Sequence, residues 1–432
     1  MARLIYNLLW PIGLLFFLPR YLVKMFRRGG YRESFGQRLA LYDPEVAQRR
    51  LAHPNPTWIH AVSVGEIAIA LKIAHQLRQL EPELECLLTT TTTTGFTFAR
   101  GRVPDWIEVM YMPVDFWPIM RRAFRTIQPK KIILVEGEVW PNLMARAAKS
   151  GVPVALVNAR LSPRSERRFV RFRRYVAPVF QQLDLVCVPT LEDVRKWRAL
   201  GVLRERIHHT GSIKYDPAEM QAPPEDKGIR LFHLRPADLE NPVLLGGSTH
   251  SGEEEILARV FRRLREKFPA LTLVIAPRHV ERIDQIQRKL EAMSFMVRRK
   301  SQWESHAQDR PDCVLLDTTG ELSVWYRIAS VAFVGKSLTA HGGQNPVEPI
   351  VARVPVTFGP NMENFEPLAS QLVAHHGAVS VKNEHDLEQT AGNLLGNADA
   401  RRRLVASAEE VLAQHRGATR RTAELVAGLT GG

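Results

Sequence analysis

Three glutamates in two short motifs carry the strongest chemical signal in this chain. Glu66 ends the motif Ser-x-Gly-Glu, which includes Ser63 and Gly65, and Glu136 and Glu138 lie in the run Val-Glu-Gly-Glu-Val-Trp-Pro. A carboxylate in a cleft can act as a general base that deprotonates an incoming hydroxyl in group transfer. Glu66 could instead only complement a helix dipole, which would lower its pKa unless burial or a like charge opposes it. Glu136 and Glu138, two residues apart at a strand end, project to one side and supply that like charge.

Two cations lie in motifs that could act beside these acids. Lys214 belongs to the run Thr-Gly-Ser-Ile-Lys-Tyr-Asp, at the crossing between the two halves of the chain. It could neutralise a substrate carboxylate or a leaving phosphate, although a solvated linker lysine would fit the same pattern. Arg160, in the run Asn-Ala-Arg-Leu-Ser after another apolar strand, could orient an anionic substrate.

The second half of the chain carries a small-residue loop of a kind that binds phosphate. Residues 245–253, which include Ser248 and His250, read Leu-Gly-Gly-Ser-Thr-His-Ser-Gly-Glu and lead from a strand into a helix. Small residues let the backbone approach a phosphate, and a helix N-terminus favours its charge. The loop lacks Gly-x-Gly-x-x-Gly, so no dinucleotide is implied. A Gly-Lys-Ser run ending at Ser337 is not a P-loop, because Ser330 stands where that motif requires glycine.

Three further loops follow predicted strands of the second half. The loop from His341 enters a helix and contains Glu348, an acid suited to hydrogen bonding with a ribose diol. Pro277 and Arg278 follow another strand, and a Thr-Gly-Glu run from Thr319 follows a third. Each loop alone is weak evidence. Four polar loops at the carboxyl ends of one parallel sheet indicate a nucleotide site, and acids facing such loops indicate a group transferase with a cleft between two domains.

The elements between these motifs predict a fold class. Short apolar runs typical of buried strands alternate with amphipathic helices, the first of them predicted over residues 66–80. This alternation predicts α/β domains with parallel, doubly wound sheets. The threonines at residues 89–94 could bind a substrate head group or only continue a strand. Strands are predicted at residues 58–64, 85–90, 107–112, 131–135, 154–157 and 184–189, and after a polar stretch at 216–227 also at 242–246, 271–276, 313–316, 331–334 and 355–358.

Length and composition indicate two domains in a reducing compartment. A chain of 432 residues exceeds what one hydrophobic core supports, so two domains of roughly 200 residues are expected. We predict a membrane-associated segment at 1–30, a Rossmann-like acceptor domain at 31–210 and a Rossmann-like donor domain with a helical tail at 211–432. The three cysteines form no CxxC pattern and indicate neither disulfides nor zinc.

The charge of the chain is basic and unevenly distributed. The formal net charge is +14, residues 1–60 hold nine Lys and Arg against three Asp and Glu, and residues 164–174 hold six arginines. The apolar run Leu4–Leu18 precedes a basic flank and is shorter than the ~20 residues of a spanning helix. We therefore expect an uncleaved segment in or barely across the cytoplasmic leaflet, with a buried first helix as the alternative. An anionic membrane or phosphorylated substrate is the expected partner, and nucleic acid is not, since no recognised nucleic-acid-binding pattern is present.

Taken together, the motifs resemble those of the 3-deoxy-D-manno-octulosonic acid (Kdo) transferases of lipopolysaccharide synthesis. The runs HAVSVGE, EGEVWPN, NARLS, GSIKYD, PRHVER, TTGEL and GGQNPVEP occur in the family's order between about residues 30 and 360. The resemblance implies the GT-B glycosyltransferase fold of two Rossmann-like domains and a membrane-associated N-terminus. It also implies an inverting transfer of Kdo from CMP-Kdo to a phosphorylated lipid A precursor of the lipid IVA type, with release of CMP at the cytoplasmic face of the inner membrane.

The resemblance further implies roles for individual residues. Glu66 would be the proton acceptor, and Glu136 and Lys214 would stabilise the transition state. The residues implied to bind CMP are Pro277, Arg278, Thr319, Gly320, Glu321, Asn345, Pro346, Val347 and Glu348. Possible further contacts to donor or acceptor are Ser63, Gly65, Glu138, Arg160, Ser248, His250 and Ser337. No cofactor and no metal are expected, since cationic side chains and helix dipoles can carry the phosphate charge and no metal-binding Asp-x-Asp motif is apparent.

Two positions depart from the family's usual motifs. Gln37 stands where an acid is frequent, which puts the acceptor or structural role of that acid in question. Gln344 stands where histidine is frequent and can hydrogen bond in its place. Two alternatives remain open: a GT-B transferase acting on another nucleotide sugar, and a non-catalytic membrane-bound protein that binds lipid or sugar nucleotide.

Overall fold

The protein is described by a computed structural model covering residues 3–4, 6–10, 13, 34–52, 54–217, 241–302 and 311–430. The chain divides into two compact units, of which the first comprises residues 1–219 and 415–432 and the second comprises residues 220–414. The predicted boundary at 210/211 therefore lies before the observed one. The predicted helical tail of the second domain also requires correction, because its last helix belongs to the first unit.

The first unit is built on a parallel sheet of seven strands in the order β3-β2-β1-β4-β5-β6-β7. Most of its strand residues are buried, as expected for a sheet covered by helices on both faces. Strands β1–β7 span Thr57–His60, Cys86–Thr90, Ile107–Tyr111, Lys131–Val135, Val154–Val157, Leu185–Val188 and Ile207–His209. Helices α1–α8 span Pro44–Ala52, Val64–Leu80, Thr93–Arg100, Trp117–Ile127, Pro141–Lys149, Pro163–Arg171, Arg173–Phe180 and Leu191–Ala199, with 3₁₀ turns at Phe35–Leu39, Arg204–Arg206 and Ile213–Tyr215.

The second unit repeats this architecture with a second parallel sheet, in the order β10-β11-β9-β8-β12-β13-β14. Strands β8–β14 span Val243–Thr249, Thr272–Pro277, Val297–Arg299, Cys313–Leu315, Val331–Val334, Val356–Phe358 and Val379–Ser380. Helices α9–α15 span Glu253–Arg265, Ile283–Ala292, Leu322–Tyr326, Val347–Val351, Leu368–Ala374, Glu384–Gly396 and Ala398–Ala413, with 3₁₀ turns at Val280–Arg282, Lys300–Gln302 and Glu363–Phe365. The predicted doubly wound α/β architecture is confirmed in both units.

The last helix, α16 at Ala418–Ala427, packs on the first unit. Its Ala423 and Val426 lie in one hydrophobic cluster with Ile67 and Ile73 of α2. The Lys131 ammonium also donates to the Val426 carbonyl oxygen at 3.0 Å. A helical pattern in the sequence shows which face of α16 is apolar, but not which sheet that face covers.

Differences from the predicted strands are confined to sheet edges and strand ends. The strands β7, β10 and β14 were not predicted, because two or three residues are too few to show a period. Each of them lies at the edge of its sheet. The predicted strand 58–64 ends at His60 instead, and α2 begins at Val64, because Ser63 caps the helix.

The N-terminal segment is described only in part. Arg3, Leu4, residues 6–10 and Gly13 are helical, whereas the remaining residues up to 33, with the basic flank from Arg20, lie outside the described residues. Within the described ranges, no helix has the length and apolar character required to cross a membrane.

Candidate functional site

Parallel doubly wound sheets bind ligands outside the carboxyl ends of their strands, at the point where the strand order reverses. In the first unit this point lies between β1 and β4. Glu66 follows β1, and Glu136 and Glu138 follow β4, so the fold brings the three carboxylates to one edge. Their electrostatic coupling agrees with this placement, because the Glu66 carboxylate raises the pKa of both other acids.

Glu66 is fixed by a capping box at the start of α2. The Ser63 hydroxyl accepts from the Glu66 backbone N–H at 3.2 Å, and Glu66 Oε1 accepts from the Ser63 N–H at 3.3 Å. Glu66 Oε2 accepts from the Val62 N–H at 2.9 Å. The carboxylate therefore has a defined orientation, and its remaining lone pairs can still accept a proton.

The threonine run supports the loop that holds Glu66. Thr89 and Thr90 end β2, and the Thr92 side chain caps α3 by accepting from the Gly95 N–H. The hydroxyls of Thr90 and Thr92 both donate to the Val62 carbonyl oxygen, at 3.2 and 3.0 Å. These contacts favour the structural interpretation of the run, since its hydroxyls anchor the residue whose N–H binds Glu66.

Glu136 leaves β4 in the left-handed backbone region, with φ of 62°. A non-glycine residue rarely adopts this conformation, so the surrounding structure imposes the direction of its side chain. Burial raises the pKa of Glu136, and the Arg160 guanidinium opposes that rise. The site therefore combines a mostly buried carboxyl group with an adjacent cation.

Glu138 has a pKa that is raised close to neutrality. Burial, followed by the charge of Glu66, raises the pKa of Glu138 to about 7, and Glu136 adds to the rise. Three carboxylates that share one edge cannot all ionise without mutual repulsion. At neutral pH the cluster can therefore hold or release a proton within the range in which enzymes work.

Glu138→Gln is expected to raise the unfolding temperature at pH 8 and to leave it unchanged at pH 4. The folded-state pKa of about 7 exceeds the ordinary 4.5, so ionisation of Glu138 destabilises the fold progressively as pH rises through this window. Thermal unfolding of both proteins at the two pH values measures the effect. Glu83→Gln, at an exposed position of the same unit, is the control. Equal shifts at pH 4 and pH 8 would contradict the coupling.

Lys214 lies in the 3₁₀ turn Ile213–Tyr215 and faces the same cluster. Burial, followed by the charge of Arg160, lowers the pKa of Lys214, while Glu136 raises it. The structure thus brings both predicted cations near the acids, and Lys214 is half-buried, which disfavours the alternative of a solvated linker lysine. Arg160 acts on Glu136 and Lys214 together, so a substrate anion here would meet two positive charges.

The switch point of the second sheet lies between β8 and β12. A glutamate side chain occupies a group of backbone N–H donors at this point. The Glu253 side chain is completely buried and accepts from the backbone N–H groups of Lys336, Ser337 and Leu338 at 2.7–3.0 Å. It also accepts from the His250 N–H at 2.8 Å. The Gly-Lys-Ser loop therefore binds an internal carboxylate, and these donors are not available for a phosphate.

The glycines of the 245–253 loop are explained by packing. A methyl group on Gly246 would lie 2.4 Å from Leu257 Cδ1, and one on Gly247 would lie 2.0 Å from the Tyr326 hydroxyl. Both glycines are buried. The prediction that these small residues admit a phosphate was wrong for this pair, because α9 and α11 use the space.

Cationic side chains nevertheless gather at this edge of the second unit. Arg278 and His279 are exposed after β9, and the His250 and His279 rings meet edge to face at 5.5 Å. Burial lowers the pKa of His250, and the charges of His279 and Lys336 contribute. Lys336 was not singled out from the sequence, since the failed P-loop pattern removed it from consideration.

The predicted ribose-binding residues form a connected pair. Asn345 Nδ2 donates to Glu348 Oε1 at 3.1 Å, and Asn345 Oδ1 accepts from the Val347 N–H at 3.1 Å. Burial raises the pKa of Glu348, and the Arg278 charge opposes the rise. Asn345 and Glu348 therefore form one hydrogen-bonded pair, and the charge of Arg278 acts on its carboxyl group.

The other predicted contacts of the second unit differ in exposure. Ser337 is buried, and its hydroxyl accepts from the Gly359 N–H at 2.8 Å, so it supports the loop instead of facing solvent. Pro277, Pro346 and Val347 are also buried, Ser248 is half-buried, and Thr319 and Gly320 are exposed. Glu321 binds Lys300 and the Thr318 hydroxyl, both at 2.5 Å.

Gln37 retains a structural role despite the missing charge. Its side chain is buried, and its Oε1 accepts from the backbone N–H of Tyr111 at 2.9 Å, at the open edge of the sheet. An amide oxygen serves as well as a carboxylate here and carries no buried charge. The sequence could not reveal this contact, because 74 residues separate the two partners.

The two doubly wound α/β units, each with charged side chains at the switch point of its sheet, have the GT-B fold. A solved glycosyltransferase from Rickettsia africae shares this fold, with a TM-score of 0.52 over 87% of this chain and 98% of its own, at 11% identity. The family model described as 3-deoxy-D-manno-octulosonic-acid transferase matches residues 33–217.

Two relatives extend the match over almost the whole chain. The 3-deoxy-D-manno-octulosonic acid transferase of Haemophilus influenzae is 33% identical over 92% of this chain and 91% of its own length. That of Bordetella pertussis is 33% identical over 92% of both chains. The protein belongs to the Kdo transferase family and is a glycosyltransferase.

Proposed function

We propose that this Kdo transferase uses CMP-Kdo as donor and a phosphorylated lipid A precursor as acceptor, with Glu66 as the general base. The observation that carries the proposal is the cluster of Glu66, Glu136, Glu138, Arg160 and Lys214 at one switch point. An acceptor hydroxyl must lose a proton as it attacks, and the oriented Glu66 carboxylate is suited to accept it.

The proposed reaction is a single displacement at the anomeric carbon of the donor sugar. The acceptor oxygen forms the new glycosidic bond, its proton passes to Glu66, and the bond to the CMP phosphate oxygen breaks with its electron pair on that oxygen. Lys214 and Arg160 are suited to stabilise negative charge on the reacting groups, including the Kdo carboxylate. Burial and the Arg160 charge lower the pKa of Lys214, and the Glu136 carboxylate opposes this, which favours the charged form of the lysine.

We assign CMP binding to the cationic edge of the second unit. Arg278 and His279 offer exposed donors for the phosphate, and Glu348 with Asn345 offers acceptors and donors for the ribose hydroxyls. Metal ligation is not part of the proposal. In the described parts of the chain, no three His, Cys, Asp or Glu side chains are grouped to hold an ion.

A surface of the first unit that is both basic and apolar supports the proposal that the reaction takes place at an anionic membrane. Val170 on α6, Phe172 between α6 and α7, and Tyr175 on α7 are each about half exposed, beside the arginines of residues 164–174. On the N-terminal helix, Leu4 and Leu8 are 68% and 67% exposed. Arginines beside exposed apolar groups suit the headgroup region of the cytoplasmic leaflet and a phosphorylated, acylated acceptor.

The proposal is tested by the product of the purified protein. We expect CMP-Kdo and tetraacylated lipid A precursor to give a lipid whose mass increases by one or more Kdo residues, with release of CMP. UDP should compete with the donor far less than CMP. Absence of product, or equal inhibition by UDP, would favour another nucleotide sugar, and donor binding without turnover would favour a non-catalytic relative.

Gly65→Ala tests whether substrate approaches Glu66. Gly65 is exposed in the first turn of α2, and a methyl group there would lie 3.8 Å from the Ser63 hydroxyl oxygen. The variant should therefore fold and gain up to about 1 kcal/mol of stability. We expect its Kdo transfer to fall about tenfold or more, because the methyl group occupies space beside the carboxylate. The control is Gly101→Ala, another exposed glycine of this unit, and wild-type activity of Gly65→Ala would count against the proposal.

A further inference from the structure

A completely buried amide lies between the acids and the Lys214 turn. Asn158 follows β5 in the left-handed region, with φ of 51°, a conformation that asparagine tolerates better than most residues. Its Nδ2 lies 3.5 Å from Glu136 Oε1 and donates to it. Its Oδ1 accepts from the Ile213 N–H at 3.2 Å and from the Ser212 hydroxyl at 3.4 Å.

The same turn is held on its other side by the C-terminal residues. The Ser212 N–H donates to His415 Nδ1 at 3.2 Å. The Asp216 carboxylate accepts from the backbone N–H groups of Gly417 and Thr419, both at 2.9 Å. While the C-terminal residues hold this side, Asn158 joins the turn to Glu136 at the end of β4, and Lys72 of α2 donates to the Ile213 carbonyl oxygen at 3.4 Å.

We propose that Asn158 is a positioning residue for Kdo transfer, which holds the Glu136 carboxylate and the Lys214 turn in register through one buried amide. The proposal rests on the function proposed above. The amide donates to Glu136 from Nδ2 and accepts from Ile213 and Ser212 at Oδ1, so two separate atoms of one side chain serve the two elements. Aspartate offers acceptors only unless it is protonated, and alanine offers neither.

The pH dependence of the reaction separates positioning from general stability. The groups that act on Glu136 are Glu66 at the start of α2, Glu138 in its own loop, Arg160 after β5 and Lys214 in the turn. The hydrogen bond from Asn158 favours ionised Glu136, so its loss raises the pKa of Glu136 further. The acid limb of the pH–rate profile should then move to higher pH.

The experiment compares Asn158→Ala and Asn158→Asp with wild type. We expect kcat to fall about 10- to 100-fold, KM for CMP-Kdo to change less than about threefold, and the acid limb to move upward. Asp184→Ala is the matched control, because Asp184 accepts from the Val154 N–H at the opposite end of the same strand. It should lose comparable stability with an unchanged pH profile. Should Asn158→Ala fail to fold, the near-isosteric Asn158→Asp carries the test.

A second readout does not depend on activity. The rate at which an amine-acylating reagent labels Lys214, followed by peptide mass spectrometry, reports how firmly the turn holds that side chain. We expect faster labelling in both Asn158 variants and an unchanged rate in Asp184→Ala. Wild-type rates of labelling and transfer in the variants would overturn the positioning role. An inactive wild type with accelerated labelling in the variants would instead overturn the proposed reaction alone.

Discussion

Glu66→Gln is expected to reduce the rate of Kdo transfer about 10²- to 10⁴-fold, the contribution typical of a positioned general base. Glutamine cannot accept the proton of the acceptor hydroxyl, whereas its shape and one oxygen are retained. That oxygen can still accept from the Val62 N–H, which lies 2.9 Å from Glu66 Oε2 in the wild-type protein. Glutamine also serves at this position of a capping box, so α2 should begin at the same residue. Initial rates at saturating CMP-Kdo and acceptor measure the effect.

Ser63→Ala is the control for the Glu66 substitution. It removes the hydroxyl that accepts from the Glu66 N–H and should cost about 1 kcal/mol of stability, but it leaves the carboxylate in place. Comparison of the two variants therefore separates the effect of losing the carboxylate base from the effect of losing the helix cap. A Glu66→Gln protein that transfers Kdo at the wild-type rate, or a Ser63→Ala protein that is equally impaired, would remove Glu66 from the role of base.

Lys214→Met should have the second largest effect, with kcat lowered about 10²- to 10³-fold. The side chain is largely buried beside Arg160 and Glu136, so its charge is poorly screened by solvent. Methionine fills a similar volume without the charge, and the unfolding temperature should stay within a few degrees of wild type. Single-turnover rates with bound CMP-Kdo report the loss in the chemical step separately from donor binding.

Two further substitutions distinguish an effect of the Lys214 charge from an effect of side-chain shape or of losing any lysine. Lys214→Arg keeps the charge but changes its shape, so partial activity would indicate an electrostatic role. Lys149→Met removes an exposed lysine at the end of α5 and should leave the rate unchanged. If Lys214→Met reduced donor affinity and spared the single-turnover rate, Lys214 would be a binding residue instead.

The amino-acid sequence was sufficient for the class of fold, and it located the charged groups that we propose as site residues. Apolar strands alternating with amphipathic helices determine parallel sheets, because that periodicity follows from which faces of each element must be buried. Glu136 and Glu138 stood out since two acids at the end of an apolar strand are hard to explain by packing, whereas the roles proposed for Glu66, Glu136 and Lys214 came from the resemblance to the family. The shared edge of the sheet then brought them together, as the predicted topology requires.

The structural role of the glycines in the 245–253 loop could not be predicted from the sequence. The pattern of Gly246 and Gly247 is typical of a phosphate-binding loop. In the structure, however, the absence of side chains at these positions allows Leu257 and Tyr326 of other elements to pack there. Glu253 looks like a helix-capping acid, yet its carboxylate fills the backbone nest of a loop more than 80 residues away. Such contacts depend on which strands become neighbours, and no local pattern encodes that information.

What the sequence determined by itself is therefore local: the elements, their buried faces and the chemical groups at their ends. Only the tertiary structure decided that α16 returns to the first unit, that Gln37 binds the Tyr111 N–H at a sheet edge, and that Asn158 joins Glu136 to the Lys214 turn. The physical reason is the separation of the partners along the chain. Asn158 meets Ile213 across 55 residues, and Ser212 meets His415 across 203, so their pairing arises from the packing of whole elements.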